Sequence, residues 1–317
     1  MNKLIHYRRF LLLLAMLSAA SFGMAQKRLT VKDSITHEAV PFASVYFGNE
    51  SGGYTDEKGM IAIPKGAVQI RLSHICYSTK SIAKVTADAQ TIYLVPKSIT
   101  LGEIAVSAKA PKRIKNKEVG LMKAKTQTKH KGANGFEMAL FIPYDSAWTD
   151  TPYIHSILAS LDYSTHYLVF TEIKTPIHAS LRFDLRLPDA KNGAPRDESI
   201  IDGGIILPPK QKLSKDGISL PRPIPFPKTG AFVIVEWITT AQVSESCSLV
   251  PSLNMTLDEK EDRTWNKKTF RGMGWRREQD EPVYQGETVR EFYEDRVPSA
   301  KLGLRISKKR EMKHQIQ

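Results

Sequence analysis

From Lys27 onward the chain is cut into short stretches that alternate apolar and polar residues with period two, punctuated by Gly, Pro, Asn and Asp. No run keeps a helical period over the ten or so residues that define a helix, and the many Pro and Gly positions would interrupt one. A chain written this way pays its backbone hydrogen bonds into sheets. With 317 residues, it has length for about two domains. The expected fold class is all-β: an N-terminal β-sandwich joined by a basic linker to a second, antiparallel β-sandwich that has a jelly roll among its options.

Upstream of the alternation, Lys3, Arg8 and Arg9 precede the apolar run from Phe10 to Leu17, and Gly23 and Ala25 supply small-x-small spacing. This is the pattern of a secretory signal peptide spanning residues 1–25, so the mature chain is expected to begin at Gln26. The apolar core is far shorter than the ~20 residues of a membrane span. No later stretch is long enough either, so no transmembrane segment is expected in the mature chain. No cysteine lies near the cut to carry a lipid.

In the first domain, residues 26–107, the strand candidates are Lys27–Val31, Ala39–Phe47, Met60–Pro64, Val68–His74 and Thr91–Pro96, with turns at Lys32-Asp33-Ser34 and through the glycines of 48–53. Several motifs stand in register: Val31-Lys32-Asp33, then Glu38-Ala39-Val40-Pro41-Phe42-Ala43-Ser44-Val45, then Tyr54-Thr55-Asp56-Glu57-Lys58-Gly59, then Ile70 to Tyr77. In order and spacing they resemble the carboxypeptidase-regulatory-like domain, a transthyretin-like sandwich at the N-termini of exported proteins of Bacteroidetes-type bacteria. Cys76 stands where that family has a glycine. Leu101-Gly102-Glu103-Ile104-Ala105-Val106-Ser107 resembles the connector that closes the domain and, in TonB-dependent receptors, leads to the plug. The resemblance implies a fold and an exported location, and does not by itself imply peptidase activity. Asp56 and Gly59 are explained by turn chemistry alone.

The second domain, residues 136–307, has strand candidates at 137–143, 156–161, 167–170, 179–187, 203–209, 231–238, 264–270, 274–276 and 300–306. Of these, 179–187 alternates strictly and Ala231–Ile238 is apolar enough for a central strand. Pro221 to Pro227 reads as a proline-rich stretch.

The net charge of +13 is unevenly placed: residues 108–135 hold nine cations against one anion, and the tail from 308 is basic again. The linker, with Lys112, Arg113, Lys115, Lys117, Lys123, Lys125, Lys129 and Lys131, reads as a solvated connector. The competing reading is contact with anionic lipid or lipopolysaccharide. Nucleic acid is not an expected partner, because the cations are not interleaved with stacking aromatics and an exported protein rarely meets it.

The eight histidines form no HExxH or other close pair at ligand spacing, so neither a metal nor a cofactor is expected. No G-x-S-x-G elbow, phosphate loop or dinucleotide fingerprint is present. Trp148, Trp237, Trp265 and Trp275 can stack on sugar rings or pack in the core. Among them Trp265 and Trp275, with Arg276 and Tyr284 in a loop-rich setting, form the candidate binding site. Cys76 and Cys247 are the only two cysteines, and they fall in different domains. The expectation is a non-enzymatic accessory protein of the bacterial envelope, periplasmic or associated with the outer membrane, that binds an envelope protein or a glycan. The competing expectation is a hydrolase of peptide or glycan with its acids in the second domain.

Overall fold

The computed structural model describes residues 27–48, 50–67, 69–83, 89–97, 117–163, 179–201, 203–209, 211–239, 250–258, 262–283 and 286–307. The signal peptide, the Leu101–Ser107 connector, the strand candidate at 167–170, Cys247, Tyr284 and the basic tail lie outside these residues. Strand makes up nearly all of the regular structure, with one short α-helix, α1 (Val289–Phe292), among the described residues. The protein is thus of the all-β, sandwich type. No helix among the described residues is long and apolar enough to cross a membrane.

The N-terminal strands are β1 (Arg28–Asp33), β2 (Ser44–Gly48), β3 (Ser51–Tyr54), β4 (Met60–Ala62), β5 (Ile70–His74), β6 (Tyr77–Ile82) and β7 (Ala89–Leu94). They make two sheets, ordered β4-β1-β7 and β3-β2-β5-β6. Alternate residues of both, among them Leu29, Val31, Val45, Ile61, Leu72 and Leu94, close on one apolar cluster. β1 and β7 pair in parallel, from Arg28 opposite Ala89 to Asp33 opposite Leu94, a long-range match that no local turn signal announces. The turn before β4 is built as its residues require. Asp56 Oδ1 accepts from the N–H groups of Lys58 at 2.9 Å and Met60 at 2.8 Å. Gly59 sits at φ +71°, with a Cβ there falling 2.5 Å from the Val31 carbonyl. The glycines of 48–53 are more than a turn, because Gly52 and Gly53 belong to β3.

The remaining strands are β8 (Lys117–Gly120), β9 (Thr128–Lys131), β10 (Phe136–Ile142), β11 (Tyr153–Ala159), β12 (Leu161–Asp162), β13 (Ser180–Pro188) and β14 (Pro195–Ser199). They continue with β15 (Ile205–Leu207), β16 (Ile218–Pro225), β17 (Ala231–Ile238), β18 (Ser252–Asp258), β19 (Thr264–Lys268), β20 (Arg276–Arg277), β21 (Val297–Ala300) and β22 (Leu302–Ser307). β14-β13-β17-β10-β19-β20, with β15 beside β13, form a seven-stranded sheet. Facing it are two four-stranded sheets, β16-β11-β22-β8 and β12-β18-β21 with β9 beside β18. The large core lies between: Met138, Leu140, Phe183, Val235 and Trp237 from one side meet Ile154, Leu253, Met255, Leu302 and Leu304 from the other.

Part of the expected linker is sheet. β8 pairs with β22 and β9 with β18, so residues 117–120 and 128–131 are edge strands of the second sandwich. The physical reason is alternation: Val119 packs on the core and the His130 ring stacks on Phe136, while Lys117, Lys129 and Lys131 stay exposed and blunt the edges. The proline-rich stretch is likewise a strand, β16, at a sheet edge, where a missing N–H leaves no ladder bond unmade.

Candidate functional site

β17 is buried at all eight positions, so its outer face, turned away from the main core, is covered as well. Part of that cover is apolar: Ala139, Phe232, Ile234 and Trp265 pack together beneath Trp275. The other part is the N-terminal sandwich. Tyr54, the last residue of β3, packs with Ile238 and Phe270, its ring meeting Phe270 edge-on at 5.1 Å. Gly52 lets β3 approach so closely that a Cβ would lie 2.2 Å from the Phe270 ring.

Beside this junction the pairing registers set four charged residues abreast on neighbouring strands. Arg182 of β13 stands opposite Glu236 of β17, Glu236 opposite Glu137 of β10, and Glu137 opposite Lys267 of β19. Asp184 and Arg186 follow Arg182 on the same face of β13 by strand periodicity. Each carboxylate is tied down. Glu236 accepts from the Tyr54 hydroxyl and from Arg182, whose Nε donates at 2.8 Å. Glu137 accepts from Thr269 Oγ1 at 2.9 Å and lies 3.4 Å from both Arg186 and Lys267. Asp184 pairs with Arg186 at 2.6 Å and accepts from Ser199 Oγ.

The electrostatics follow from this arrangement. Burial alone would raise the Glu137 carboxyl, but Lys267, Arg186 and Arg182 outweigh it and hold it at about 2. Burial and the charge of Glu137 push Glu236 upward, against the pull of Arg182. Burial, with Glu236 next, lifts the Tyr54 hydroxyl well above its usual range and keeps it a donor.

A cleft of about 950 Å³ opens over this row, between the β2-β5-β6 side of the first sandwich and the seven-stranded sheet of the second. Its walls carry Arg71, His74 and Lys97 from the first and Arg182, Arg196, Lys267 and Trp275 from the second. Arg182 is only 7% exposed, and its Nη1 has no hydrogen-bond partner among the described residues. The same holds for Nε1 of Trp275. Buried donors left this way cost about 1–3 kcal/mol each unless something fills them. His74 accepts from the Cys76 N–H through Nδ1 at 3.1 Å, which leaves its other ring nitrogen the donor. Burial, then Arg182 and Lys97, depress it to about 3. The wall thus mixes cations, His74 and the carboxylates Glu137, Asp189, Asp197, Glu198 and Glu236, a polar lining of donors and acceptors suited to a hydroxyl-rich ligand.

The expected aromatic site is only partly brought together. Trp265 is 7% exposed, edge-on to Phe232, with the Arg277 guanidinium 4.5 Å from its ring centre. At this burial, with Arg277 over its ring, Trp265 is not an exposed stacking surface. Trp275 does line the cleft, half-buried, with Lys267 at 5.6 Å and Arg186 at 5.9 Å from its ring centre. Arg276 is exposed on β20 and does not line that cleft. Trp148 packs edge-on against Phe226, and Trp237 is fully buried and donates to the Pro251 carbonyl at 2.8 Å.

Arg182, Glu236 and Glu137 are not among the residues the sequence motifs single out, although a signal for them exists. Each glutamate is the lone charge in a strand that is otherwise apolar, FEMALFI and AFVIVEWI, and a lone charge in such a strand must be buried with a partner. No three His, Cys, Asp or Glu side chains among the described residues are grouped to hold a metal ion. No protein-family model, curated protein or solved structure matches the chain.

Proposed function

We propose that this is an exported, non-enzymatic binding protein of the bacterial envelope, periplasmic or associated with the outer membrane, whose inter-sandwich cleft holds an acidic glycan. The N-terminal sandwich, which we read as a carboxypeptidase-regulatory-like module, serves as the roof of that cleft. The observation that carries the reading is the Arg182 Nη1 group, buried in the cleft wall without a partner. A guanidinium with a buried, unpartnered N–H in a residue that lines a polar cleft suits a carboxylate or sulfate substituent. The neutral His74 and the Trp275 N–H add donors for sugar oxygens. Asp189, Asp197 and Glu198 at the rim supply acceptors for hydroxyl groups. Glu137 and Glu236 are cross-strand neighbours, but cations clamp both, which favours a fixed wall over proton transfer.

Calorimetric titration of the mature chain with an oligogalacturonate, and with a neutral malto-oligosaccharide of equal length, tests this. The acidic sugar should bind, weaken as salt is raised, and lose about tenfold in affinity in Lys97→Glu. Binding of neither sugar, or equal binding of both that ignores Lys97→Glu, would overturn the proposal. Arg182 is left intact in this test, because removing it strands Glu236 as a buried charge.

A further inference from the structure

A second cavity, of about 290 Å³, opens at one end of the second sandwich, away from the cleft. Its floor is apolar, with Phe136, Met255, Val289 and Pro298. Its polar wall is made by Glu278 and Glu281, from the 3-10 turn Glu278–Asp280 and the residue after it, and by His130 of β9. Glu281 is 7% exposed; one of its oxygens pairs with Lys268 Nζ at 2.5 Å, and the other has no hydrogen-bond partner among the described residues. Nδ1 of His130 is buried without a partner in the same way. Glu278, 5% exposed, accepts from the Asn266 amide at 2.6 Å. The two lysines of the wall are already occupied, Lys268 by Glu281 and Lys129 by Asp162. At the mouth stand Tyr293 and Phe292, rings edge-on at 5.1 Å, with Phe292 57% exposed.

The unpartnered Glu281 oxygen is an acceptor, the opposite of the Arg182 donor in the cleft, and His130 Nδ1 accepts in the tautomer protonated at Nε2. We propose that this pocket binds a primary alkylammonium group, its three N–H donors shared by Glu281, Glu278 and His130, its alkyl chain against Phe136 and Met255, and the Phe292–Tyr293 pair at its mouth. A primary ammonium carries three donors and no acceptor, which matches the free Glu281 oxygen and the ionised Glu278 of this wall. The rim aromatics add attraction for a cation.

The charged surroundings make the binding pH-dependent. Glu278 faces Asn266 and Lys268 of β19, Glu281 of its own turn, and Asp262 before β19; burial, against the Asn266 hydrogen bond, lifts it to about 7. Burial, then Lys268, lowers His130 to about 4, so its ring is neutral near neutrality, with one nitrogen to accept while the other donates. Ionisation of Glu278 above pH 7 therefore strengthens the site for a cation.

The probes are n-butylammonium, n-butanol as its neutral isostere, and Nα-acetyl-lysine methylamide, titrated into the full mature chain by calorimetry. At pH 8 butylammonium should bind at least about tenfold more tightly than butanol, and about tenfold more weakly at pH 5.5 or in Glu278→Gln. Tighter binding of the lysine compound would identify a protein side chain as the source of the ammonium; tighter binding of butylammonium would identify a free amine. Equal affinity for the ammonium and the alcohol, or no binding of either ammonium, would sink the proposal. The pH comparison on the unaltered chain decides the matter if Glu278→Gln does not fold: no change between pH 5.5 and 8 counts against it.

Discussion

Tyr54 shows how much a single side chain does in this molecule. Its hydroxyl reaches from the first sandwich into the buried ionic row, donating to Glu236 beside Arg182. Tyr54→Phe keeps the ring against Phe270 and removes only the donor to a buried carboxylate. Stability should fall by about 1.5–3 kcal/mol in urea unfolding; an unchanged midpoint would show that the hydroxyl is not a clamp. Glu278 makes the complementary case. Its folded carboxyl is lifted from 4.5 to about 7, so the folded state binds the extra proton between those values. The stability linked to that proton is complete below pH 4.5 and is lost as pH rises through 7. Glu278→Gln, which keeps an oxygen for Asn266, should therefore stabilise the protein by about 1–3 kcal/mol at pH 8 and by little at pH 4. Thermal unfolding at the two values checks it, and equal effects at both would refute the assignment. Neither residue stands out in the sequence by type; Glu236 and Glu137 do, as lone charges inside apolar strands.

Among the elements, those with two clear faces were legible. β10, β13 and β17 fall within a residue or so of the alternating or apolar stretches that predict them, because a strand buried on one or both faces has its composition dictated by that burial. The edge strands were not. β8 and β9 look like a basic linker because an edge must carry charge on its open side, and β16 looks like a loop because an edge tolerates proline. β3 reads as a turn because its glycines are there for close approach, not for curvature. Gly52→Ala should force the β3 backbone off Phe270 and lower the melting temperature by several degrees, about 1–3 kcal/mol in a chain of this size. Pairing it with Phe270→Leu, which clears the space, should cost less than the sum of the two single changes. Strict additivity in that double-mutant cycle would mean the two residues do not touch.

For the whole molecule, the two sandwiches should behave as one body. Their junction combines apolar packing of Tyr54, Ile238 and Phe270 with the Tyr54 hydrogen bond to a buried ionic row. Calorimetry of the full chain should show a single cooperative transition, and the isolated 108–307 fragment should unfold at a lower temperature, with its outer sheet face uncovered. Two separated transitions in the full chain, or a fragment as stable as the whole, would show that the junction contributes nothing. What the sequence determined by itself is the class of fold and the identity of the central strands, since period-two alternation and turn residues are local properties that each segment carries in its own side chains. Only the tertiary structure decided which charges are buried, which edges pair, that β1 runs parallel to β7, and that donors from both sandwiches face one cleft. Those features depend on residues as far apart as Tyr54 and Glu236 meeting, and strand register across such distances is set by how the whole core packs.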